Sequence, residues 1–215
     1  MNFIRHYELE GKHAYLSPSK HHWVNDSPES FALRVKSFYS AKIGTILHDV
    51  ARAYIKHGFP MTRSDKRSVR LRLLEEGIPE SVLELYDFSM IFENLSNYTN
   101  DAVDFKMTPE VILYYSDNCF GTADTIAYDR DERFLRIHDL KSGVQTASME
   151  QLKIYNALFC LEYRVDPEDI QTELRIYQNL DVLYHNPETE EIRFIMNKIV
   201  ELDGLAETNG YFLRP

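Results

Sequence analysis

The chain has 215 residues, 44% of them hydrophobic, and a formal net charge of −10 at pH 7. That length suits one domain with a sizeable core and would crowd two. The acidic balance argues against broad, non-specific adhesion to nucleic acid, but it leaves room for a local groove whose acids a divalent metal neutralises. Cys119 and Cys160 are too few for a four-cysteine iron–sulfur centre and lack paired metal-ligand spacing, so each reads as a small buried side chain. No apolar run reaches membrane-spanning length, and Met1 to His6 lacks the apolar core of a secretory leader. A soluble protein of the reducing cytoplasm is expected.

Residues 1–30 carry polar turns and the cluster Ser17-Pro18-Ser19-Lys20-His21-His22-Trp23, an ordered but loop-like lead-in. Apolar residues then recur at helical spacing from Phe31 to His57, through Phe38, Ala41, Ile43, Leu47, Val50, Ala51, Tyr54 and Ile55. Gly58 and Pro60 end that helix. Two more helices are predicted, Lys66 to Glu76 and Pro79 to Asn94, separated by Gly77 and Pro79. Arg63, Lys66, Arg67, Arg70 and Arg72 make the clearest basic patch, which reads as a phosphate contact or as a solvated helix face.

The pattern then changes to strands. Val111–Tyr115, Phe120–Tyr128 and Phe134–Leu140 are rich in strand formers, and the polar Asp129-Arg130-Asp131-Glu132 reverses the chain between the last two as a hairpin. A helix from Ala147 to Tyr163, strands over Thr172–Gln178 and Val182–His185, and a helix from Pro187 to about Leu205 complete the order. The expected fold class is α/β or α+β, with a central mixed sheet flanked by helices.

Chemistry concentrates where two of these strands meet. In Ile137-His138-Asp139-Leu140-Lys141 the two-residue strand period puts Asp139 and Lys141 on one face and His138 and Leu140 on the other. Asp124, on the preceding strand in Gly121-Thr122-Ala123-Asp124, lies beside that pair if the hairpin closes over residues 129–132. Two hard oxygen ligands suit Mg²⁺ or Mn²⁺, and a neighbouring ammonium can position a nucleophile and offset developing negative charge, the requirements of phosphodiester cleavage. The bland alternative is a surface hairpin with ordinary charges. Gly121 is read as support, admitting a neighbouring element or relieving strand packing.

His48 lies four residues from Gly44 on one helical face, where the missing side chain would leave room near the imidazole. It can complete a divalent metal shell, or it can be a half-buried histidine bonded within a helix layer. His6, His13, His21, His22, His57, His138 and His185 show no comparable convergence. Gln151 and Tyr155 share a helical face and can join one hydrogen-bonded network, though such a pair also simply links core to solvent. Glu110 is a further candidate oxygen ligand, and Thr108-Pro109-Glu110 is equally good strand-start chemistry. Trp23, Tyr114, Tyr115 and Tyr155 are assigned first to packing rather than base stacking.

Gly44 to His48, Gly121 to Asp124, Asp139-Leu140-Lys141 and Gln151 to Tyr155 occur in the order of the RecB-like and Cas4-like branch of the PD-(D/E)XK nuclease superfamily, which the chain resembles over residues 40–163. The resemblance implies a restriction-endonuclease-like core in one domain, 1–215, with an N-terminal extension at 1–39 and a helical insertion at 61–105. It implies that His48, Asp124 and Asp139 contact Mg²⁺ or Mn²⁺, joined by the backbone carbonyl of Leu140; Glu110 stays an additional candidate ligand read from its own position. Asp124, Asp139, Lys141, Gln151 and Tyr155 would form the catalytic group, with Gln151 and Tyr155 organising the site and the nucleic-acid backbone. Residues 16–23 and 107–124 also look like phage-encoded members of the superfamily, which implies DNA exonuclease action in replication, recombination or processing, in the host cytoplasm. Unlike many Cas4-like relatives, this sequence cannot supply an iron–sulfur cluster. DNA is the implied partner, with room for a recombination or replication protein and a homo-oligomer, and none for a membrane. The competing reading is a catalytically inactive nucleic-acid-binding or regulatory protein that retains the fold.

Overall fold

The structure, a computed structural model, describes residues 5–11, 14, 16–142 and 148–210. His13, Gly143 and Ala147, the last being the predicted start of a helix, lie outside the described residues. The lead-in holds two 3₁₀ segments, Tyr7–Leu9 and Pro18–Asn25, before a 30-residue helix, α1 (Pro28–His57). Ser27 caps it by accepting from the Ser30 N–H at 3.2 Å, and Pro28 supplies the preset φ of a first helical residue. At the other end Gly58 adopts the left-handed conformation (φ 66°), as a helix terminator does.

After α2 (Lys66–Glu75), the predicted helix from Pro79 to Asn94 is two helices, α3 (Glu80–Leu83) and α4 (Phe88–Asp104). The break comes at Asp87, whose carboxylate accepts from the N–H groups of Ser89 and Met90 at 2.9 and 3.1 Å and so starts a new helix. The second helix continues past Asn94 because Leu95, Tyr98 and Ala102 extend its buried face. Asn94 itself is buried, and its amide donates to the carbonyls of Lys141 and Tyr177 at 3.4 and 3.2 Å. It ties α4 to the ends of two central strands.

The sheet has the order β1 (Thr108–Ser116), β2 (Cys119–Asp129), β3 (Phe134–Leu140), β4 (Gln171–Gln178) and β5 (Asp181–His185). Only β3 and β4 run parallel, so the sheet is mixed as expected. The long return from β3 to β4 holds α5 (Glu150–Tyr163), and α6 (Thr189–Asn209) follows β5, starting two residues after the predicted Pro187 and running past Leu205. One core joins α1–α4 to the sheet through Leu140 and Tyr177, and the other joins α5 and α6 to it through Leu135, Ile137, Leu174 and Ile176. Among the described residues no helix is long and apolar enough to cross a membrane.

The regular alternation fails at one place. Ala123 and Ile126 belong to the same core although three residues apart, whereas Ala127 packs on the opposite core. A strict two-residue period forbids that, so β2 turns about its axis near Asp124. Across the ladder, pairing passes from Pro109↔Thr125 to Val111↔Ala123 and leaves Glu110, with φ of 52°, facing Asp124 outside it. A left-handed glutamate here is backbone strain at the position where the acids gather.

Candidate functional site

A cleft of about 700 Å³ opens between α1, the start of β1, the middle of β2 and the end of β3, lined by His48, Glu110, Asp124, Leu140 and Lys141 among others. Hairpin closure supplies its centre. Thr125 pairs with His138, so Asp124 and Asp139 follow as the next opposed residues on adjacent strands. The Leu140 N–H donates to Asp124 Oδ2 at 3.1 Å, and His48 Nδ1 stands 3.3 Å from the same oxygen. Burial first, and then the negative charge of Asp139, push the Asp124 carboxyl up to about 6, against the opposing pull of His48, the Leu140 amide and Lys141.

Lys141 Nζ lies 3.0 Å from Asp139 Oδ1 and donates to Gln151 Oε1 at 3.0 Å. Its ammonium also stands 2.9 Å from Asp139 Oδ2, but that buried oxygen receives no well-directed hydrogen bond. Gln151 Nε2 passes the network to the Tyr155 phenol at 3.2 Å. Asp139, Lys141, Gln151 and Tyr155 therefore form one connected chain from β3 to α5. His138, on the opposite face, is fully buried against the Phe105 and Tyr177 rings.

Both glycines of the motif are used for close approach. A Cβ on Gly121 would sit 2.9 Å from Tyr155 Cε1, so this glycine lets the tyrosine ring lie against β2. The space at Gly44 is filled by Ser142, whose Oγ would be 2.9 Å from a Cβ there, and not by the imidazole of His48. We expect Gly121→Ala to displace the Tyr155 ring and break its bond to Gln151, since the added Cβ and the ring cannot both keep their places. A crystal structure of the variant reads it; an unmoved ring with its bond to Gln151 intact would contradict this role.

Glu110 reaches the cleft, but Arg52 holds it at 2.6 Å while also contacting Asp49 at 2.8 Å. Neither Arg52 nor Ser142 was marked by the motifs. Arg52 had one visible signal, its position four residues beyond His48 on α1.

Residues 13–179 match the family model described as "Protein of unknown function (DUF2800)". The chain belongs to the DUF2800 family. The family is linked to the PD-(D/E)XK nuclease superfamily, and the five-stranded mixed sheet with flanking helices is consistent with a nuclease-like α/β architecture. Every DUF2800 residue of the cleft lies inside the matched span, while β5 and α6 lie outside it. Comparisons with curated proteins and with solved structures gave no match.

Metal chemistry in a DUF2800 chain can be tested against these side chains. Among the described residues, no three His, Cys, Asp or Glu side chains form a ready-made cage. Magnesium does not need one, because it is held by one or two carboxylates together with water and substrate phosphate. Two features fit a hard cation: a buried Asp139 oxygen without a directed donor, and an Asp124 carboxyl whose proton affinity is raised by burial and then by the charge of Asp139. A divalent ion held between these two carboxylates would offset the burial and the like charge that raise the proton affinity of Asp124.

Proposed function

We propose that this DUF2800 protein hydrolyses DNA phosphodiester bonds in a divalent-metal-dependent reaction, acting as an exonuclease. The observation that carries the reading is that Asp124 and Lys141 line one cleft, with Asp139 buried behind it beside both of them and Gln151 and Tyr155 wired to the lysine. The reading extends to a PD-(D/E)XK core of the RecB-like and Cas4-like branch within one domain, 1–215, carrying 1–39 as an extension and 61–105 as a helical insertion. It also extends to a role in phage DNA replication, recombination or processing, in the host cytoplasm.

In this mechanism Asp124, Asp139 and the Leu140 carbonyl would hold Mg²⁺ or Mn²⁺, His48 would join them, and Glu110 would add an oxygen once released by Arg52. The bound ion supplies Lewis acidity toward the phosphate and lowers the pKa of water. The carboxylate of Asp124 must be ionised to hold the ion, so metal binding, and cleavage at limiting metal, strengthens with pH as the carboxyl, raised to about 6 by burial and Asp139 in the metal-free chain, loses its proton. Lys141 sits between Asp139 and Gln151, which aim its ammonium at the cleft; there it orients the attacking water and offsets charge as it builds on the phosphate. Tyr155 fixes Gln151, and Gln151 fixes the lysine.

The test is a cleavage panel on end-labelled linear, circular, single-stranded and duplex DNA, with Mg²⁺, Mn²⁺ and EDTA arms. Progressive loss from ends in a metal arm, absent in EDTA, supports the proposal. Cleavage of circles would move it to an endonuclease, and binding without products in any metal would favour the catalytically inactive, nucleic-acid-binding alternative.

A further inference from the structure

A second concave surface lies beside the cleft and is built from the opposite charge. A cavity of about 540 Å³ between α2 and the start of α4 is lined by Arg63, Lys66, Arg67 and Arg70, with Tyr86 on its wall. In a chain of net charge −10, four cations at one concavity are a local inversion of the overall field.

Three observations separate this surface from an ordinary solvated helix face. Its lining carboxylate, Asp87, is occupied in capping α4, and Lys66 donates to Ser89 at 2.7 Å rather than to an acid. Arg70 pairs with Glu80 and Arg72 with Glu76, but Arg63 and Arg67 make no side-chain ion pair or hydrogen bond among the described residues. The walls of the concavity and of the cleft also touch. Tyr86, on its wall, meets Ser40 at 3.2 Å through its hydroxyl, and Ser40 lines the cleft of Asp124 and Lys141. The Tyr86 ring carries Lys36 Nζ at 4.8 Å from its centroid, which adds a fifth cation at the junction.

The sequence of α1 lays out the path between them. Lys36, Ser40, Gly44 and His48 recur every four residues on one ridge of the helix. From Lys36 to His48 the ridge rises about 18 Å at 1.5 Å per residue. That spans about five phosphates of one strand at 3.4 Å each along a duplex axis.

We propose that Lys36, Arg63, Lys66 and Arg67 form a phosphate-binding track that grips one nucleic-acid strand several nucleotides from the cleft and leads it along the Lys36–His48 ridge to Asp124 and Asp139. The track's destination rests on the hydrolytic reading of the cleft; its ability to bind phosphates does not. Unpaired arginines match phosphate oxygens in a two-pronged geometry, so they anchor the strand without reading its sequence.

The experiment measures binding of a fluorescein-labelled oligothymidylate by anisotropy in EDTA, where no cleavage interferes, across about 50 to 200 mM salt. Arg63→Ala/Arg67→Ala is compared with wild type and with Lys198→Ala, a distant cation on α6. Both arginines are exposed and unpartnered, so the double variant should melt as wild type does. The expected result is a loss of affinity of about tenfold or more at low salt, with the slope of log affinity against log salt reduced by about 1.4, about 0.7 for each single-strand phosphate contact. Equal binding and equal slopes in all three proteins, an equal loss in the distant control, or no measurable binding by wild type would overturn the track. Binding through the arginines by a protein that cuts nothing would sink the hydrolytic reading and leave the track standing.

Discussion

Asp139→Ala is expected to lower the rate of metal-dependent DNA cleavage by about a thousandfold or more. A carboxylate that holds a catalytic cation is asked for several kcal/mol of transition-state stabilisation, and each 1.36 kcal/mol is a factor of ten. Asp139 is also one of the two groups that aim Lys141. Lys141→Ala should cost less, about 10²–10³-fold, the scale of removing one preorganised donor from a developing oxyanion. The two losses should combine to less than their product, because lysine and aspartate act as a unit. Single-turnover rates on end-labelled DNA measure all three, with thermal melts to check folding. If Asp139→Ala cuts within a factor of a few of wild type, the carboxylate has no place in the chemistry.

The second large effect is on stability and has the opposite sign. Asp124 titrates near 6 in the folded chain, against 3.8 for an unperturbed carboxyl. A carboxyl raised by folding contributes stability below its unfolded pKa, and that contribution is lost as pH rises through the folded value. The metal-free protein should therefore weaken between about pH 4 and pH 6, by up to about 3 kcal/mol for a displacement of about two pH units. Asp124→Asn keeps an oxygen for the Leu140 N–H and removes the charge that Asp139 opposes. Its metal-free form should thus be more stable than wild type at pH 7.5, with that segment of the pH profile flattened. Mn²⁺ should raise the melting temperature of wild type at pH 7.5, do so far less at pH 4.5, and leave the variant unchanged at both. Urea unfolding across the pH range gives the answer. A variant less stable than wild type at pH 7.5, with the pH slope retained, would contradict this account.

The centre of the cleft is readable from the sequence. β3 matches its predicted span, Phe134–Leu140, and a two-residue period is enough to put Asp139 beside Lys141. Asp124 followed from hairpin closure, which the Thr125↔His138 pairing bears out. The α3–α4 break at Asp87 and the extension of α4 past Asn94 are not legible in the helical spacing of Pro79–Asn94, because the capping by Asp87 and the ties of Asn94 to β3 and β4 appear only in the fold. Other features come only from elements packing across long sequence separations. The capture of Glu110 by Arg52 spans 58 positions, and Ser142 fills the space over Gly44 because α1 lies across the end of β3. The left-handed backbone of Glu110 has no marker in Thr108-Pro109-Glu110, since glutamate rarely adopts it.

The central claim is that Asp124 and Asp139 share one divalent cation. Titrating Mn²⁺ into the protein at pH 7.5 and following the free-ion electron paramagnetic resonance signal tests it without relying on cleavage. We expect wild type to remove Mn²⁺ from solution at a site that Mg²⁺ competes for, and a folded Asp124→Asn/Asp139→Asn protein to lose that site. Equal Mn²⁺ uptake by the two proteins, or none by wild type even with an oligonucleotide bound, would contradict it.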